Sequence, residues 1–512
     1  MFGKAKENVS IPKFFENKSV LITGGTGFIG RLLLEKLLRS CQKIDKIYVV
    51  IRPKKGKSVQ ERIQENINIP IFDKLREEQP EQLNKIIPLA GDTEKLGLGL
   101  SEEDRKTVIE NVSIVFHNAA SVRFDDHLKK AVISNTRAAR EIVLLARQLK
   151  KIDVLVDTST AYCNSDNLIV QEKLYPAKIH WSDLVKIAEE GDERLLEVVA
   201  HKIIQPLPNT YTFSKAAAEH AVVELSKGKI PAVIVRPTII QPTYSDPIPG
   251  WVDNINGSVG MMYGMGRGIL RSVYGDTNAV FDHVFADSVI KSLIISAWRT
   301  ALAKDLNNVP IYNIASDLNY KSSDLFVLGN EYSRKFPLKY YIWPAKPRLY
   351  ENYYVFLFFA LLNHILPALI VDSVLWITGR KPMLYTIQRK VFLANTCLIH
   401  FMTNSWNFVH NNYLDLMDSI LPDDKKDFTV DHFGKTPHQS KKNHYIFNIY
   451  FQGIRKYVAK DADADEHDVR KRNRLIFVER IWKLMWLIIF LRYLIPKLIL
   501  LFDNIMIYIE NL

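Results

Sequence analysis

Six short apolar runs in the first half of the chain constrain its fold more than any other feature. Each run is short and largely apolar and ends in small or polar residues. The runs are rich in β-branched residues and do not alternate with polar ones, which predicts parallel strands that are buried on both faces. Helix-like stretches separate them, so the sequence predicts an α/β fold with a doubly wound parallel sheet. In order, the runs are SVLITGG, KIYVVIRP, KIIPLAGD, VSIVFHNAA, VLVDTST and PAVIVRPT.

A glycine-rich segment, LITGGTGFIGRLL, joins the first run to a helix. Glycine at these spacings allows a tight turn, close approach of the backbone to a pyrophosphate, and close packing of helix on strand. The helix N-terminus adds amide donors and a favourable dipole. The segment therefore predicts a Rossmann-type dinucleotide site, with a glycine-rich packing turn as the alternative. The residues expected to hold the dinucleotide are Thr23, Gly24, Gly25, Thr26, Gly27, Phe28, Ile29 and Gly30.

The end of the second run indicates which dinucleotide binds. An NAD site usually places an acidic residue there, on the ribose hydroxyls. Here the run ends in Arg52 and continues with Lys54, with no aspartate or glutamate. Because a guanidinium pairs well with a phosphate dianion, we expect NADPH; the alternative is a solvated basic turn. Residues at the ends of other runs should complete the cofactor site: Asp92, Asn118, Ala119, Pro237 and Thr238.

Tyr211 and Lys215 in YTFSK are four positions apart, so on a helix they project from the same face. A nearby ammonium favours the phenolate and should lower the pKa of the tyrosine, whose ordinary value is about 10. The same lysine could bind the nicotinamide ribose. We expect the hydroxyl of Thr160, or failing that Ser159, to hold a carbonyl oxygen beside Tyr211. Asn135, on a preceding helix, could order a water for proton relay.

This set of residues resembles the Tyr/Lys/Ser-or-Thr/Asn set of the extended short-chain dehydrogenase/reductase family. From about Val20 to Tyr457 the chain looks more narrowly like the fatty acyl-CoA reductases. That resemblance implies NADPH-dependent reduction of a long-chain fatty acyl-CoA to a fatty alcohol, through a bound aldehyde, in lipid metabolism. It depends on several segments in order, among them FHNAASVRFDDHL, TSTAYCN, YTFSKAAAE, PGWVDNINGSVGMMYGMGRGILR and HILPALIVDSVLWITGRKPML.

Two alternatives remain open at the level of sequence. An NADP-dependent sugar or sterol dehydrogenase/epimerase would share every N-terminal motif but would leave the C-terminal region unexplained. A catalytically silent lipid-binding or scaffold protein would predict a damaged catalytic set. The stretch HWSDLVKIAEEGDERLLEVVAHK, between Thr160 and Tyr211, predicts one extra amphipathic helix that either covers a long-chain substrate or is a surface insertion.

Two apolar stretches, Tyr353–Ile377 and Leu484–Phe502, approach membrane-spanning length. We expect a membrane span or an in-plane insertion, and more so for the second stretch because its interruptions, Arg492 and Lys497, are basic. Buried core helices are the alternative. The expected organisation is an N-terminal extension (1–18), an NADP-binding catalytic domain (19–317), a linker (318–350), a helical C-terminal domain (351–460) and a basic, apolar membrane-associated tail (461–512).

Charge and cysteine usage limit the cellular setting. The net charge of +12 is concentrated late in the chain beside apolar sequence, which favours an anionic membrane surface as partner and not nucleic acid. The three cysteines have no metal-ligand spacing and fit a reducing compartment, so no metal site is expected. The N-terminus lacks the apolar core of a signal peptide. We therefore expect an intracellular membrane, of the endoplasmic reticulum or the peroxisome, with the catalytic domain facing the cytosol.

Overall fold

The computed structural model describes residues 9–54, 56–316, 318–430, 439–461 and 466–489, with short pieces at 491–492 and 496–497. The six apolar runs all form strands, each within the bounds predicted for it. Strands occur at β1 (Ser19–Thr23), β2 (Ile47–Ile51), β3 (Ile86–Ala90), β4 (Val112–His117), β5 (Val154–Thr158), β6 (Ile169–Val170), β7 (Ala232–Pro237), β8 (Ile239–Gln241), β9 (Ser272–Tyr274), β10 (Val280–Phe285), β11 (Ile311–Ile314), β12 (Asn319–Lys321), β13 (Arg348–Tyr350) and β14 (Asn407–Phe408).

The principal sheet has seven strands in the order β11-β7-β5-β4-β1-β2-β3, and all of its pairings are parallel. Every residue of β1, β2 and β4 is buried, as expected for strands covered on both faces. The strand order reverses between β1 and β4, which is where ligands bind in sheets of this kind. The predicted fold class, a doubly wound Rossmann-type sheet, is confirmed.

Helices cover both faces of this sheet and make up most of the C-terminal region. They are α1 (Ile11–Phe15), α2 (Phe28–Ser40), α3 (Val59–Ile67), α4 (Asp73–Glu78), α5 (Glu102–Asn111), α6 (Leu128–Ala131), α7 (Ala138–Ala146), α8 (Trp181–Glu190), α9 (Glu193–Ile204), α10 (Thr210–Ser226), α11 (Gly257–Gly266), α12 (Ala286–Ala303), α13 (Ser322–Lys335), α14 (Tyr353–Ala360), α15 (Leu366–Ile377), α16 (Leu384–Met402), α17 (Asn411–Asp418), α18 (Lys425–Phe428), α19 (Gln439–Gly453) and α20 (Glu466–Ile489).

The extra helix predicted before Tyr211 is in fact two helices, α8 and α9. Gly191 ends the first, and the Asp192 side chain caps the second by accepting from the Leu195 amide at 2.9 Å. An N-cap aspartate starts a new helix because its carboxylate satisfies an amide that has no partner within the helix. Gly191 and Asp192 are the sequence signal of this break, which the amphipathic pattern alone does not show.

The described C-terminal helices share their cores with the catalytic part of the chain. Residues of α17, including Tyr413, belong to the same apolar cluster as α2 and α12. Residues of α19, including Phe447 and Tyr450, pack in one cluster with α11 and α13. Helix α13 also lies inside 318–350, the stretch for which the sequence indicated a linker. The C-terminal region therefore helps to form the walls around the end of the sheet.

The apolar stretch Tyr353–Ile377 is one continuous helical segment, comprising α14, a π-helical turn and α15. After a turn, α16 runs back along α15, and we call α14–α16 the apolar hairpin. Asp372 fixes the turn, because its carboxylate accepts from the backbone amides of Met383, Leu384 and Tyr385 at 2.8–3.0 Å. The polar residues that interrupt this stretch in the sequence therefore have structural partners.

His364 shows the same principle at the other end of the apolar hairpin. Its Nε2 accepts from the Ser272 amide at 2.9 Å, and its Nδ1 lies 2.7 Å from Gln388 Oε1. Among the described residues, Tyr353–Ile377 is the one helical segment long and apolar enough to cross a membrane, and 22% of its most apolar window is buried. The second predicted stretch, Leu484–Phe502, lies mostly outside the described residues, although α20 covers its first turns.

Candidate active site

The glycine-rich turn between β1 and α2 has the shape that the sequence predicts. A Cβ on Gly30 would lie 2.2 Å from the Gly24 carbonyl oxygen, and a Cβ on Gly24 would lie 2.7 Å from the Ala119 amide nitrogen. Helix α2 follows with Gly27 at its N-cap and no side chain capping its first amides. Those amides and the helix dipole are therefore available to an anion.

A cavity of about 500 Å³ starts at this turn and extends along the ends of β5 and β7 to α11, α16 and α19. Twelve of the predicted site residues line it: Gly24, Gly27, Phe28, Ile29, Gly30, Asn118, Ser159, Thr160, Tyr211, Lys215, Pro237 and Thr238. The predicted residues that do not line it are Thr23, Gly25, Thr26, Arg52, Lys54, Asp92, Ala119 and Asn135.

The structure brings the predicted catalytic residues together. Helix α10 begins at Thr210, where the Asn209 side chain accepts from the Thr212 amide at 2.9 Å and so sets the first turn. Tyr211 lies in that turn, and the Thr160 side chain is close enough to its phenol to act on the pKa of that group. One turn later, Lys215 Nζ donates to the Thr158 carbonyl oxygen at 2.6 Å. A hydroxyl pair and a buried ammonium therefore meet at the end of β5.

The pKa of Tyr211 is shifted in the opposite direction from the one predicted. Burial raises this pKa, and the neighbouring Thr160 side chain offsets only part of the rise. The phenol stacks on Phe124, with ring centroids 5.8 Å apart, in largely apolar surroundings. Lys215 is engaged with a backbone carbonyl instead. Tyr211 is consequently a protonated phenol at neutral pH, which suits a proton donor.

Of the two hydroxyls that the sequence offered, Thr160 is the one beside Tyr211. The Ser159 side chain points to a different place, beside the Glu219 carboxylate and the Cys163 thiol. Both residues line the cavity, but successive residues at a strand end project to opposite sides, so only Thr160 lies beside Tyr211. The role of each residue in catalysis stays a prediction.

Asn135 is buried but is engaged elsewhere than at Tyr211. It lies in a π-helical turn, Val132–Arg137. Its side chain accepts from the Ser121 amide at 2.8 Å and donates to the Ser121 carbonyl at 3.1 Å and to Ser214 Oγ at 2.9 Å. It therefore holds the loop after β4 against α10. The proton-relay water expected at Asn135 stays a prediction.

The residues predicted for the adenosine end lie beyond the cavity. Arg52 is half-exposed at the end of β2, and its guanidinium pairs with Asp92 at 3.1 Å and Glu94 at 3.0 Å. Asp92 also accepts from the Glu94 amide at 3.0 Å. Lys54 is exposed, and its backbone pairs with that of Lys57 as an isolated antiparallel β-bridge in the turn that follows β2. The basic group expected at this strand end is present, and two carboxylates neutralise it.

The remaining predicted cofactor residues hold the strand ends together. Thr23 Oγ1 lies 2.7 Å from His117 Nδ1, and it also accepts from the Ala119 amide at 3.3 Å. Asn118 Oδ1 accepts from the Thr158 hydroxyl at 2.6 Å, while within the described chain its buried Nδ2 has no partner. An amide donor without a partner at the edge of a dinucleotide-shaped turn is what a bound ligand would satisfy.

Comparison with known proteins agrees with this geometry. Two models of one family, both described as "Male sterility protein", match residues 22–293, as its NAD-binding part, and 363–461. The fatty acyl-CoA reductase 1 of Rattus norvegicus is 35% identical over 91% of this chain and 90% of its own length. The fatty acyl-CoA reductase wat of Drosophila melanogaster is 34% identical over 92% of this chain and 90% of its own length. The chain belongs to the fatty acyl-CoA reductase family.

The fold of this reductase is also found in solved structures. The terminal R domain of the myxalamid PKS-NRPS pathway superposes with a TM-score of 0.56 at 18% identity, over 86% of this chain and 90% of that domain. The predicted family and the prediction of an NAD(P)-dependent oxidoreductase are confirmed. The glycine turn, the uncapped α2 amides and the unpartnered Asn118 Nδ2 fit a nicotinamide dinucleotide.

Sequence reasoning missed a buried ion pair beneath the reductase site. Arg236 and Glu219 form two hydrogen bonds of 2.7 and 2.6 Å, and both are almost fully buried. Arg236 also donates to the carbonyls of Gln171 and Lys173. The pair ties β7 to α10 and to the loop after β6. Its one signal in the sequence was an arginine inside the apolar run PAVIVRPT, where a charge requires a buried partner.

Sequence reasoning also missed Asp157, His283 and Tyr320. Asp157 is the fourth residue of β5; it is fully buried, and among the described residues neither of its carboxylate oxygens has a hydrogen-bond partner. Burial raises its pKa to about 6, and the Lys215 ammonium offsets part of that rise. His283 and Tyr320 lie on the cavity wall. No sequence pattern indicates His283 or Tyr320, because β10 and β12 are short strands outside the principal sheet.

Proposed function

We propose that this chain reduces a long-chain fatty acyl-CoA to the fatty alcohol, through a bound aldehyde, with NADPH as the reductant. The observation that carries the proposal is the placement of Thr160, Tyr211 and buried Lys215 together, in a cavity that extends from the glycine turn into apolar walls. The names of the relatives support the acyl-CoA substrate. The apolar walls of the cavity suit a long acyl chain.

The proposed roles follow from the positions of the side chains. Thr160 and Tyr211 bind the carbonyl oxygen of the thioester and stabilise the negative charge that develops there. A bound nicotinamide supplies hydride in each of two reductions. Loss of CoA after the first gives the aldehyde, and in the second Tyr211 donates a proton to the aldehyde oxygen. Lys215 holds the strand end through the Thr158 carbonyl and is positioned to bind the ribose. The overall change consumes two hydrides and two protons per acyl-CoA.

The preference for NADPH over NADH rests on Arg52. Its guanidinium is half-exposed at the end of β2, at the position where an NAD site has an acidic residue. The carboxylates of Asp92 and Glu94 hold it there, so a 2′-phosphate would compete with them for the same group. The exposed turn beyond it contributes Lys54 as a second cation.

We also infer that the apolar hairpin inserts into the membrane surface without spanning it. Many exposed residues of α14 and α15 are apolar, and Trp376 and Ile377 beside the turn are 73% and 74% exposed. The turn itself carries Arg380 and Lys381, which suit anionic headgroups. His364, by contrast, joins the base of the hairpin to β9. We place the protein on an endoplasmic reticulum or peroxisomal membrane, with the site facing the cytosol, since its product partitions into lipid.

Product analysis tests the reaction directly. The full chain, purified in detergent, is incubated with a saturated long-chain acyl-CoA and NADPH, and lipids are analysed by mass spectrometry. We expect fatty alcohol and free CoA, and no product from the Tyr211→Phe variant. Tyr312→Phe is the matched control, because Tyr312 is buried but does not line the cavity. Absence of both aldehyde and alcohol, in a protein that binds NADPH, would refute the proposal.

Vesicle flotation tests the membrane inference. The double variant Trp376→Ser, Ile377→Ser should float with anionic vesicles much less than the wild type. The control is Leu195→Ser, Val327→Ser, which removes apolar side chains of similar exposure, 63% and 65%, away from the apolar hairpin. Equal loss in both double variants would contradict an insertion at the hairpin. Deletion of 481–512 in parallel measures what the tail contributes.

A further inference from the structure

Two buried polar side chains on the cavity wall each have one polar atom without a hydrogen-bond partner within the described residues, although the His283 ring also interacts with the Phe281 backbone. His283 lies in β10 and Tyr320 in β12, and each is 5% exposed. The His283 Nδ1 atom and the Tyr320 hydroxyl oxygen are the atoms without a partner. Both residues line the same cavity as Tyr211 and Lys215. Buried polar groups of this kind are uncommon in folded proteins, and each calls for an explanation.

Strand pairing places the two groups side by side. In the antiparallel pairing of β10 with β12, Phe281 is the Cα partner of Tyr320. His283 is two residues from Phe281 and therefore projects from the same face of the strand. The centroids of the His283 and Tyr320 rings are 5.9 Å apart. We call these two residues the His283–Tyr320 pair.

The walls around the pair are apolar. Met262, Leu318 and Leu325 line the cavity with it, and the Tyr320 ring packs edge-on against Phe447 at 5.9 Å. A plain acyl chain against these walls would leave both polar groups unsatisfied, which is unfavourable in a site without water. The pair therefore discriminates between a substrate that can hydrogen-bond to it and one that cannot.

The pair is uncharged. Burial lowers the pKa of His283 to about 4, so its imidazole is neutral at physiological pH and has one donor and one acceptor. The Tyr320 hydroxyl can donate and accept as well. Among the described residues that line the cavity, Lys215 is the only lysine or arginine. A neutral polar group thus fits beside the pair, whereas a phosphate does not.

We propose that the His283–Tyr320 pair is a second polar subsite of the cavity, which binds a neutral hydrogen-bonding oxygen of the substrate. This inference rests on the proposed acyl-CoA reduction. The group bound is an amide, hydroxyl or oxo oxygen. Two parts of an acyl-CoA can supply it: the pantetheine arm, through its amides, or an acyl chain that carries a hydroxyl or oxo group along its length.

Steady-state kinetics with three thioesters of equal chain length test the subsite and distinguish the two sources. The substrates are a saturated acyl-CoA, the same acyl-CoA with a hydroxyl within the chain, and the saturated S-ethyl thioester, which has no amide. The enzyme is the full chain in detergent. The variants are Tyr320→Phe and His283→Leu, each of which removes one polar group. Tyr312→Phe is the control, because it removes a buried, unpartnered hydroxyl that does not line the cavity.

If the acyl chain is the source, the wild type prefers the hydroxylated acyl-CoA in kcat/KM by about tenfold, and Tyr320→Phe and His283→Leu reduce that preference. If pantetheine is the source, both variants lose about three- to tenfold on acyl-CoA, mostly in KM, and lose nothing on the S-ethyl thioester. Either pattern supports the subsite. Variants that match Tyr312→Phe on all three substrates overturn it. A wild type that reduces none of the thioesters contradicts the proposed function itself, which is a separate outcome.

Discussion

The catalytic end of the sheet and the apolar hairpin differ in whether the buried polar groups described here have hydrogen-bond partners. In the apolar hairpin, His364, Gln388 and Asp372 each have hydrogen-bond partners. At the end of the sheet, Asn118 Nδ2 and both oxygens of Asp157 have none within the described chain. Unsatisfied groups cost stability, so a fold keeps them where a ligand or a reaction requires them. The partnered groups hold the turn and the base of the hairpin in place, and the unpartnered ones lie at the end of the sheet where we expect the ligand to bind.

The largest expected effect is at the catalytic end. Tyr211→Phe should reduce turnover at least about 1000-fold, roughly 4 kcal/mol, because the proton donor is lost while the ring stays. NADPH binding, measured by fluorescence titration, should change little. A variant that kept about a tenth of the wild-type rate would have lost only ~1.4 kcal/mol, which is too little for an essential acid.

Substitution of two glycines compares how closely the backbone is packed in the glycine turn and in the turn of the apolar hairpin. Gly30→Ala should destabilise the protein by about 3 kcal/mol and abolish cofactor binding, because the new Cβ would lie 2.2 Å from the Gly24 carbonyl oxygen. Gly379→Ala, in the turn of the apolar hairpin, has open space around its Cβ and a φ of +73°, so it should cost only about 1 kcal/mol. Thermal unfolding of both variants is the measurement. Equal costs would mean that the glycine turn is not close-packed.

Substitution of Arg52 tests whether this half-exposed residue at the end of β2 binds the cofactor. Arg52→Glu should lower kcat/KM for NADPH about 100-fold and for NADH less than tenfold, because a repelling charge replaces a partner of the 2′-phosphate. Lys150→Glu makes the same change of charge at an exposed surface position that pairs with Glu110, and it should spare both cofactors. Equal losses with NADPH and NADH would remove Arg52 from the cofactor site.

Two aspartates should respond to substitution with opposite signs. Asp372→Ala removes the acceptor of three amides and should cost about 1–2 kcal/mol. Asp157→Asn should instead stabilise the protein at pH 7 by roughly 2 kcal/mol. Because burial raises the pKa of Asp157 to about 6, the folded state binds this proton more tightly than the unfolded chain does.

The sign of the pH dependence at Asp157 follows from this difference. The contribution of Asp157 to stability is most favourable below its unfolded pKa, and it is lost as pH rises through about 6. Urea denaturation across this range should show the wild type losing stability relative to Asp157→Asn. A difference between the two proteins that does not vary with pH would contradict the assignment.

The sequence predicted the parts of the site that local pattern determines. The six strands, the glycine turn and the Tyr211–Lys215 turn follow from apolar periodicity and helical spacing, and the structure places them as predicted. The choice of Thr160 over Ser159 could not be predicted, since it depends on which side of a strand end faces Tyr211. The pKa direction of Tyr211 was wrong because it depends on burial and on where Lys215 donates.

The polar subsite and the buried ion pair could not be predicted from sequence patterns, and the reason is a related one. His283 and Tyr320 meet only because β10 and β12 pair, and those strands are three to six residues long. Arg236 and Glu219 are 17 positions apart and meet only when β7 packs against α10. Contacts between such elements depend on tertiary packing, which the local periodicity of the sequence does not show.

Helix α16 connects two environments that the chain would otherwise keep apart. Its first residue follows the turn of the apolar hairpin, and its last residues, including Phe401 and Met402, form part of the cavity wall. Nineteen residues of helix are about 28 Å long. If the turn lies in lipid, the length of α16 sets the distance between the reaction site and the bilayer. A fatty alcohol that leaves the cavity past Phe401 would then move along α16 to the membrane and would not have to cross water.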